Sequence, residues 1–278
     1  MKVKYSIVVK VISLILVSCM LFLVSCSSLQ TVTTNKPEFL KQEDAEAKAL
    51  REEIGIEVEQ NPDNTISYSV DNEYAKCELK YNEETGEFFY ADNDGQFPLQ
   101  ITNVTDDGIM HWKVEKENET LEGEVDTSGA ATPQFALAIA GTSVVVSAAV
   151  YYAVMWAGKI VIAGATCYVA SKVADIIKSK AARSDFFPAY LIRNNVYVAA
   201  NIGLSFTQAT IRIRLGQSVW AKSAYLAKQV CINASPIMRA EYGWHGSIDN
   251  GYYPHFHAVR FYINSKKYVH TGAHCWFL

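Results

Sequence analysis

The chain has 278 residues, of which 50% are hydrophobic and 19% are charged. This length allows two modest domains or one domain with additional segments, and the composition excludes a chain that is wholly disordered or fibrous. The net charge of −4 hides a division, because residues 1–37 have a net charge of +4, residues 38–130 of −18 and residues 131–278 of +10. An acidic segment followed by a basic one indicates that the two bind different partners, or each other.

The N-terminus has the pattern of an export signal. Lysines at positions 2, 4 and 10 precede an uncharged run from Val11 to Ser25, which is typical of a secretory signal and shorter than a membrane-spanning helix. The run ends in Leu-Val-Ser-Cys at residues 23–26, which resembles the bacterial lipobox. We therefore predict that residues 1–25 are a lipoprotein signal peptide and that Cys26 is the lipidation site. The exported protein would be anchored to the cell membrane by lipid; a plain signal peptide or an uncleaved anchor is the alternative.

Two segments follow the predicted anchor. Residues 26–64 are predicted to be the anchor and a helical spacer, because Glu, Ala, Lys and Leu dominate residues 40–57 and the apolar ones recur near one helical face. From Thr65 the pattern changes to alternation of apolar and polar residues, with turn signals rich in Asp, Asn and Gly between short runs. Residues 65–130 are thus predicted to form an acidic antiparallel β-meander of five or six short strands, ending near Val125.

Residues 131–183 are predicted to be a hydrophobic helical connector. Residues 127–158 contain no charged side chain, and 135–158 are long enough to cross a bilayer as a helix. A second apolar run at 160–171 precedes a cluster of basic residues. One interpretation is a transmembrane helix with the basic cluster on the inner side. The other is that two hydrophobic helices pack as a hairpin within an exported protein, or insert only into a target membrane.

Residues 184–278 are predicted to be a small, basic, His-rich α+β module. Ser205 is placed to cap a helix that ends at Gly216, and Ser223–Val230 indicates a second helix. From Pro236 the chain is rich in aromatic residues and punctuated by glycines, which favours strands joined by turns. The fold class predicted for the whole chain is α+β.

The histidines concentrate at the C-terminus. Five of the six lie in the last 34 residues: His245, His255, His257, His270 and His274. In a strand, His255 and His257 would share one face because side chains repeat every two residues. A turn at Thr271–Ala273 would bring His270 and His274 together. Arg260 lies between these two histidine pairs in the sequence, where it could hold a phosphate.

Four cysteines remain beyond the predicted cleavage site: Cys77, Cys167, Cys231 and Cys275. Export would allow some of them to be oxidised, and four cysteines permit three pairings between which the sequence does not choose. Their wide spacing argues against a zinc site built from cysteines.

Three short elements of the last 85 or so residues resemble a module found at the C-terminus of secreted bacterial toxins. They are a Gly-x-x-Val-Trp element at residues 216–220, Gly-Tyr-Tyr-Pro-His-Phe-His at 251–257, and Gly-Ala-His-Cys-Trp-Phe at 272–277. The resemblance to this polymorphic-toxin-like family implies a toxin, and a toxin of this kind implies an immunity protein as partner. It does not imply a particular reaction.

Three hypotheses for the module stay open. In a metal-independent nuclease, His257 and His274 would act as acid and base, His255 and His245 would support them, and Arg260 would bind the phosphate of a nucleic acid. In a zinc hydrolase, His255 and His257 with His270 or His274 would ligate Zn²⁺. No carboxylate is an obvious base for the zinc reaction, since Glu241 and Asp249 lie upstream of the pair. In the third hypothesis, the module is a non-catalytic cell-envelope domain that binds a surface ligand.

Overall fold

The computed structural model describes residues 40, 43, 45–72, 75–105, 107–127, 142–178, 183–193, 195–244 and 253–278. The predicted signal peptide, Cys26 and His245 therefore lie outside the described residues, as does the start of the predicted membrane segment. Within them the chain is α+β, with a large and mostly antiparallel sheet, as the sequence predicts.

The acidic segment is an antiparallel meander, which confirms the predicted strands. Its members are β2 (Thr65–Asp71), β3 (Lys76–Asn82), β4 (Phe88–Asp92), β5 (Gly95–Val104), β6 (Ile109–Glu115) and β7 (Thr120–Asp126). Alternate residues such as Ile66, Tyr68 and Val70 are buried, so apolar side chains line one face and charged ones the other.

A helix forms in the segment predicted to be a helical spacer, and one of its faces packs against the sheet. Helix α1 (Ala45–Ile54) leads directly into strand β1 (Ile56–Gln60), which pairs with β2. Leu50 and Ile54 on its apolar face are buried in the same core as the meander. The apolar periodicity therefore marks the face of the helix that packs on the sheet.

The uncharged segment supplies the centre of that core. Helix α2 (Thr142–Trp156) is buried from Val145 to Val154 and packs against β7, β3 and β2. The Trp112 indole donates a 2.9 Å hydrogen bond to the Ser147 hydroxyl. A helix that is apolar on all sides is buried when other elements surround it. Among the described residues no helix is both long and apolar enough to cross a membrane.

The prediction of a second hydrophobic helix at residues 160–171 is wrong. Residues 159–169 form a β-hairpin of β8 (Lys159–Ile162) and β9 (Ala165–Val169). The β-branched run Ile160–Ile162 favours a strand, and Ala163 and Gly164 at the turn both have positive φ. Helix α3 (Ala170–Lys178) begins only after this hairpin.

The C-terminal module follows the predicted order of elements. These are β10 (Phe186–Ile192), β11 (Asn195–Val198), α4 (Phe206–Arg214), β12 (Val219–Ala221), α5 (Ala224–Ala234), β13 (Ala240–Gly243), β14 (His255–Tyr262), β15 (Lys267–His270) and β16 (Cys275–Trp276). Ser205 caps α4 in a capping box with Gln208, and Ser223 caps α5. Both helix starts were therefore predicted correctly.

The module continues the sheet of the first half. The order of neighbouring strands is β1-β2-β3-β4-β5-β8-β9-β11-β10-β12-β16-β14-β13. Outside this order, β6 pairs with β5, β7 pairs with β6, and β15 pairs with β14. Alternate residues of the C-terminal strands face opposite layers: Ala221 and Cys275 pack with α4 and α5, whereas Trp220, Tyr253 and Trp276 pack with α3. The histidines discussed below lie on the second of these faces.

Candidate metal site

Two histidines of β14 lie side by side on one face, as the sequence predicts. His255 and His257 are 3% and 5% exposed, and their ring centroids are 4.8 Å apart. The intervening Phe256 points to the opposite face, where it packs with the core beneath α4 and α5. Strand alternation thus places both imidazoles on the face shared with α3.

A third imidazole joins them from the neighbouring chain segment. Strand β16 runs antiparallel to β14 with Trp276 opposite His255, so His274, two residues earlier, comes beside His257. Its ring centroid lies 4.8 Å from that of His255 and 4.6 Å from that of His257. The His274 ring stacks on Trp276 with centroids 4.8 Å apart and planes within 1° of parallel.

We call His255, His257 and His274 the three-histidine cluster. One nitrogen from each ring lies within 4.8 Å of the others, a separation from which three rings can converge on one metal ion. His270, the other predicted ligand, is exposed at the end of β15. Its ring is 4.4 Å from that of His257, yet it does not belong to the converging set and lies at the rim.

The backbone fixes the tautomer of two of the rings. His255 Nδ1 is 2.9 Å from the Tyr253 carbonyl oxygen, and His257 Nδ1 is 3.0 Å and 3.1 Å from those of Thr271 and Ala273. A carbonyl oxygen can only accept, so Nδ1 of each ring is the donor and the lone pair is on Nε2. Histidines that bind a metal through one ring nitrogen are commonly oriented by a hydrogen bond from the other ring N–H to a carbonyl oxygen, and Nδ1 makes that bond here.

Burial keeps the central imidazole neutral. The pKa of His257 is lowered to about 4, first by loss of water around the ring and then by the neighbouring His255 and His270, while the two carbonyl hydrogen bonds partly oppose the shift. At pH 7 this ring is therefore a neutral ligand or base and not a proton donor.

The structure does not bring Arg260 to the cluster. It lies three residues beyond His257 on β14, so its side chain is on the other face of the sheet. There its guanidinium donates a 3.2 Å hydrogen bond to the Arg214 carbonyl at the end of α4. Arg260 instead lines a pocket with His270 at the rim, and its role as a phosphate ligand stays a prediction.

Two residues of β13 that sequence reasoning missed lie next to the cluster. Glu241 is paired with His257 and Gly243 with His255 in antiparallel register, and directly opposed residues share a face of the sheet. Glu241 is exposed. A Cβ atom at Gly243 would collide with Nε2 of His255, so the glycine lets the imidazole lie against the β13 backbone. Only the pairing of β13 with β14 reveals either role.

Comparison of the chain with protein-family models, with curated proteins and with solved structures found no match. The function is therefore argued from the site alone.

Proposed function

We propose that residues 184–278 are a zinc-dependent hydrolase module in which His255, His257 and His274 hold the ion. The observation behind this proposal is the convergence of three imidazole nitrogens within 4.8 Å, two of them from almost fully buried rings. In tetrahedral zinc sites, N–Zn distances of about 2.0–2.1 Å place ligand nitrogens about 3.4 Å apart. Small rotations of the three rings would bring the cluster to that spacing.

The protonation state of His257 suits the role of a metal ligand better than that of a general acid. A metal-independent nuclease needs one of its histidines protonated near neutral pH so that it can donate a proton to the leaving group. The low pKa of His257, about 4, removes it from that role. Zinc, in contrast, binds the neutral ring, and the ring is neutral before the ion arrives.

Three protein ligands leave one position of a tetrahedral ion for water. Zinc bound in this way lowers the pKa of that water to about 7, which supplies a nucleophile at neutral pH. Glu241 is the carboxylate best placed to accept a proton there, because it faces the same side of the sheet as its partner His257. The charge of +10 over residues 131–278 favours an anionic substrate, and we place nucleic acid first.

The setting that we propose is an exported, lipid-anchored, toxin-like protein of the cell envelope. The N-terminal pattern ending at Cys26 and the three toxin-like sequence elements support it. An immunity protein would then be its partner. A non-catalytic envelope lipoprotein with the same metal site is the alternative, and it predicts zinc binding without hydrolysis.

Zinc titration of chelator-treated full-length protein tests the proposal. We expect one equivalent of Zn²⁺ to bind, and we expect His257→Gln and His274→Gln each to weaken binding at least about 100-fold. His270→Gln is the matched control, since this neighbouring histidine lies outside the converging set, and its affinity should stay within about 3-fold of wild type. Absence of stoichiometric binding by the wild type would overturn the metal site.

Hydrolysis is tested separately with single-stranded RNA and DNA oligonucleotides. We expect cleavage that EDTA abolishes and added Zn²⁺ restores. Cleavage that survives EDTA would instead support the metal-independent nuclease. Zinc binding without cleavage of any substrate would favour the non-catalytic lipoprotein.

A further inference from the structure

Two of the four described cysteines lie together between α5 and β16. Cys231 on α5 and Cys275 on β16 are both fully buried and belong to one hydrophobic cluster. The Cys231 thiol donates a 3.3 Å hydrogen bond to the carbonyl of Phe256, the residue paired with Cys275 in the sheet. The two thiols are also direct neighbours of each other. Helix and strand thus bring both sulfur atoms to one point in the core.

The other two cysteines have no such arrangement. Cys77 is on β3 and Cys167 is on β9, strands that are not neighbours in the sheet. The Cys167 thiol donates to the Ala165 carbonyl of its own strand at 3.4 Å. Among the described cysteines, the structure therefore favours a single disulfide between Cys231 and Cys275.

We propose that Cys231 and Cys275 form a disulfide bond that ties α5 to β16 in the exported protein. Each thiol loses its proton, one S–S bond forms between the two sulfur atoms, and the two electrons reduce a disulfide of the oxidant to two thiols. The oxidant is a protein or small-molecule disulfide of the kind found in oxidising compartments. This proposal is independent of zinc binding.

The timing of oxidation follows from burial. Thiol–disulfide exchange requires direct contact between the thiol and the oxidant, and both cysteine side chains are fully buried once the protein is folded. The folded, reduced protein should therefore oxidise slowly. The bond forms during folding, while both thiols are still accessible to solvent.

The disulfide would also brace the proposed metal site. Cys275 lies between His274, a member of the three-histidine cluster, and Trp276, on which that histidine stacks. A covalent link from Cys275 to α5 fixes a strand of only two residues. The link is formed on the face of the sheet opposite the histidines, so it does not compete for the metal ligands.

The test is peptide mapping of the full chain expressed with its own signal in an oxidising bacterial envelope. Cells are quenched with acid, and thiols are alkylated in urea before and after reduction. We expect Cys77 and Cys167 to be alkylated without reduction and Cys231 and Cys275 only after it. A cross-linked peptide pair containing 231 and 275 should appear in the unreduced digest.

Two variants sharpen the result. In Cys231→Ala, residue 275 should become alkylated without reduction, whereas Cys77→Ala should leave the cross-link intact. Immediate alkylation of both Cys231 and Cys275 in the wild type, or a cross-link to either of the other two cysteines, would overturn the proposal. Either result would leave the zinc titration unaffected, so the two proposals fail separately.

Discussion

The low pKa of His257 makes stability depend on pH in a defined direction. The ordinary histidine pKa of 6.5 applies to the unfolded chain, whereas the folded value is about 4. Between these values the unfolded chain takes up a proton that the folded protein does not. The free energy of unfolding therefore falls as pH decreases from about 7 to about 4. At about 1.4 kcal/mol per pKa unit, this residue contributes about 3 kcal/mol that is present at pH 7 and lost by pH 4.

Urea unfolding of metal-free protein, in the presence of chelator, measures this contribution. His257→Gln replaces the imidazole by a side chain that does not titrate, so we expect the variant to lose about 3 kcal/mol less than wild type between pH 7 and pH 4. A His257→Gln variant with the same pH dependence as wild type would refute the reasoning.

Three further predictions concern single residues. Gly243→Val should weaken zinc binding at least about 10-fold in a titration, because the new side chain displaces the His255 ring, whereas Gly272→Ala, with nothing within 4 Å of the new Cβ, should not. Glu241→Gln should lower the rate of zinc-dependent cleavage about 100-fold or more while leaving zinc affinity within about 3-fold, if the carboxylate accepts a proton. Ser147→Ala should lower the urea unfolding free energy by about 1–3 kcal/mol, since the buried Trp112 indole loses its acceptor.

The alternation of side chains along a strand was enough to predict that two of the three histidines in the cluster share a face. His255 and His257 are two residues apart in a strand, and that spacing alone places them on one face. The same rule excludes Arg260, which is separated from His257 by an odd number of positions. Its position between the two histidine pairs in the sequence therefore does not place its side chain in the three-histidine cluster.

The rest of the site depends on pairings that no local pattern encodes. Glu241 precedes the histidines in the sequence, and its position there does not indicate a base. The antiparallel pairing of β13 with β14 nevertheless aligns it with His257. Register between strands is set by the whole buried face and not by one residue pair. Gly243 likewise has a function only because β13 lies against the His255 ring.

The errors in the fold come from apolar segments whose period is ambiguous. The run from Ile160 continues a hydrophobic segment, and this continuity predicts a helix. A short apolar run fits a buried strand equally well, and the structure has a strand there. Helix α1 shows the converse case. Its period was recognised correctly, but its partner, the buried core around α2, could not be known from the segment alone.

The position of His274 shows how a short strand can hold a metal ligand firmly. Its backbone is fixed on both sides of the residue: its N–H donates to the Ser218 hydroxyl at 2.9 Å, and its carbonyl accepts from the Val219 N–H at 2.9 Å. Stacking on Trp276 then limits rotation of the ring. Because three separate contacts restrict one residue, the two-residue length of β16 is no argument against a preorganised ligand.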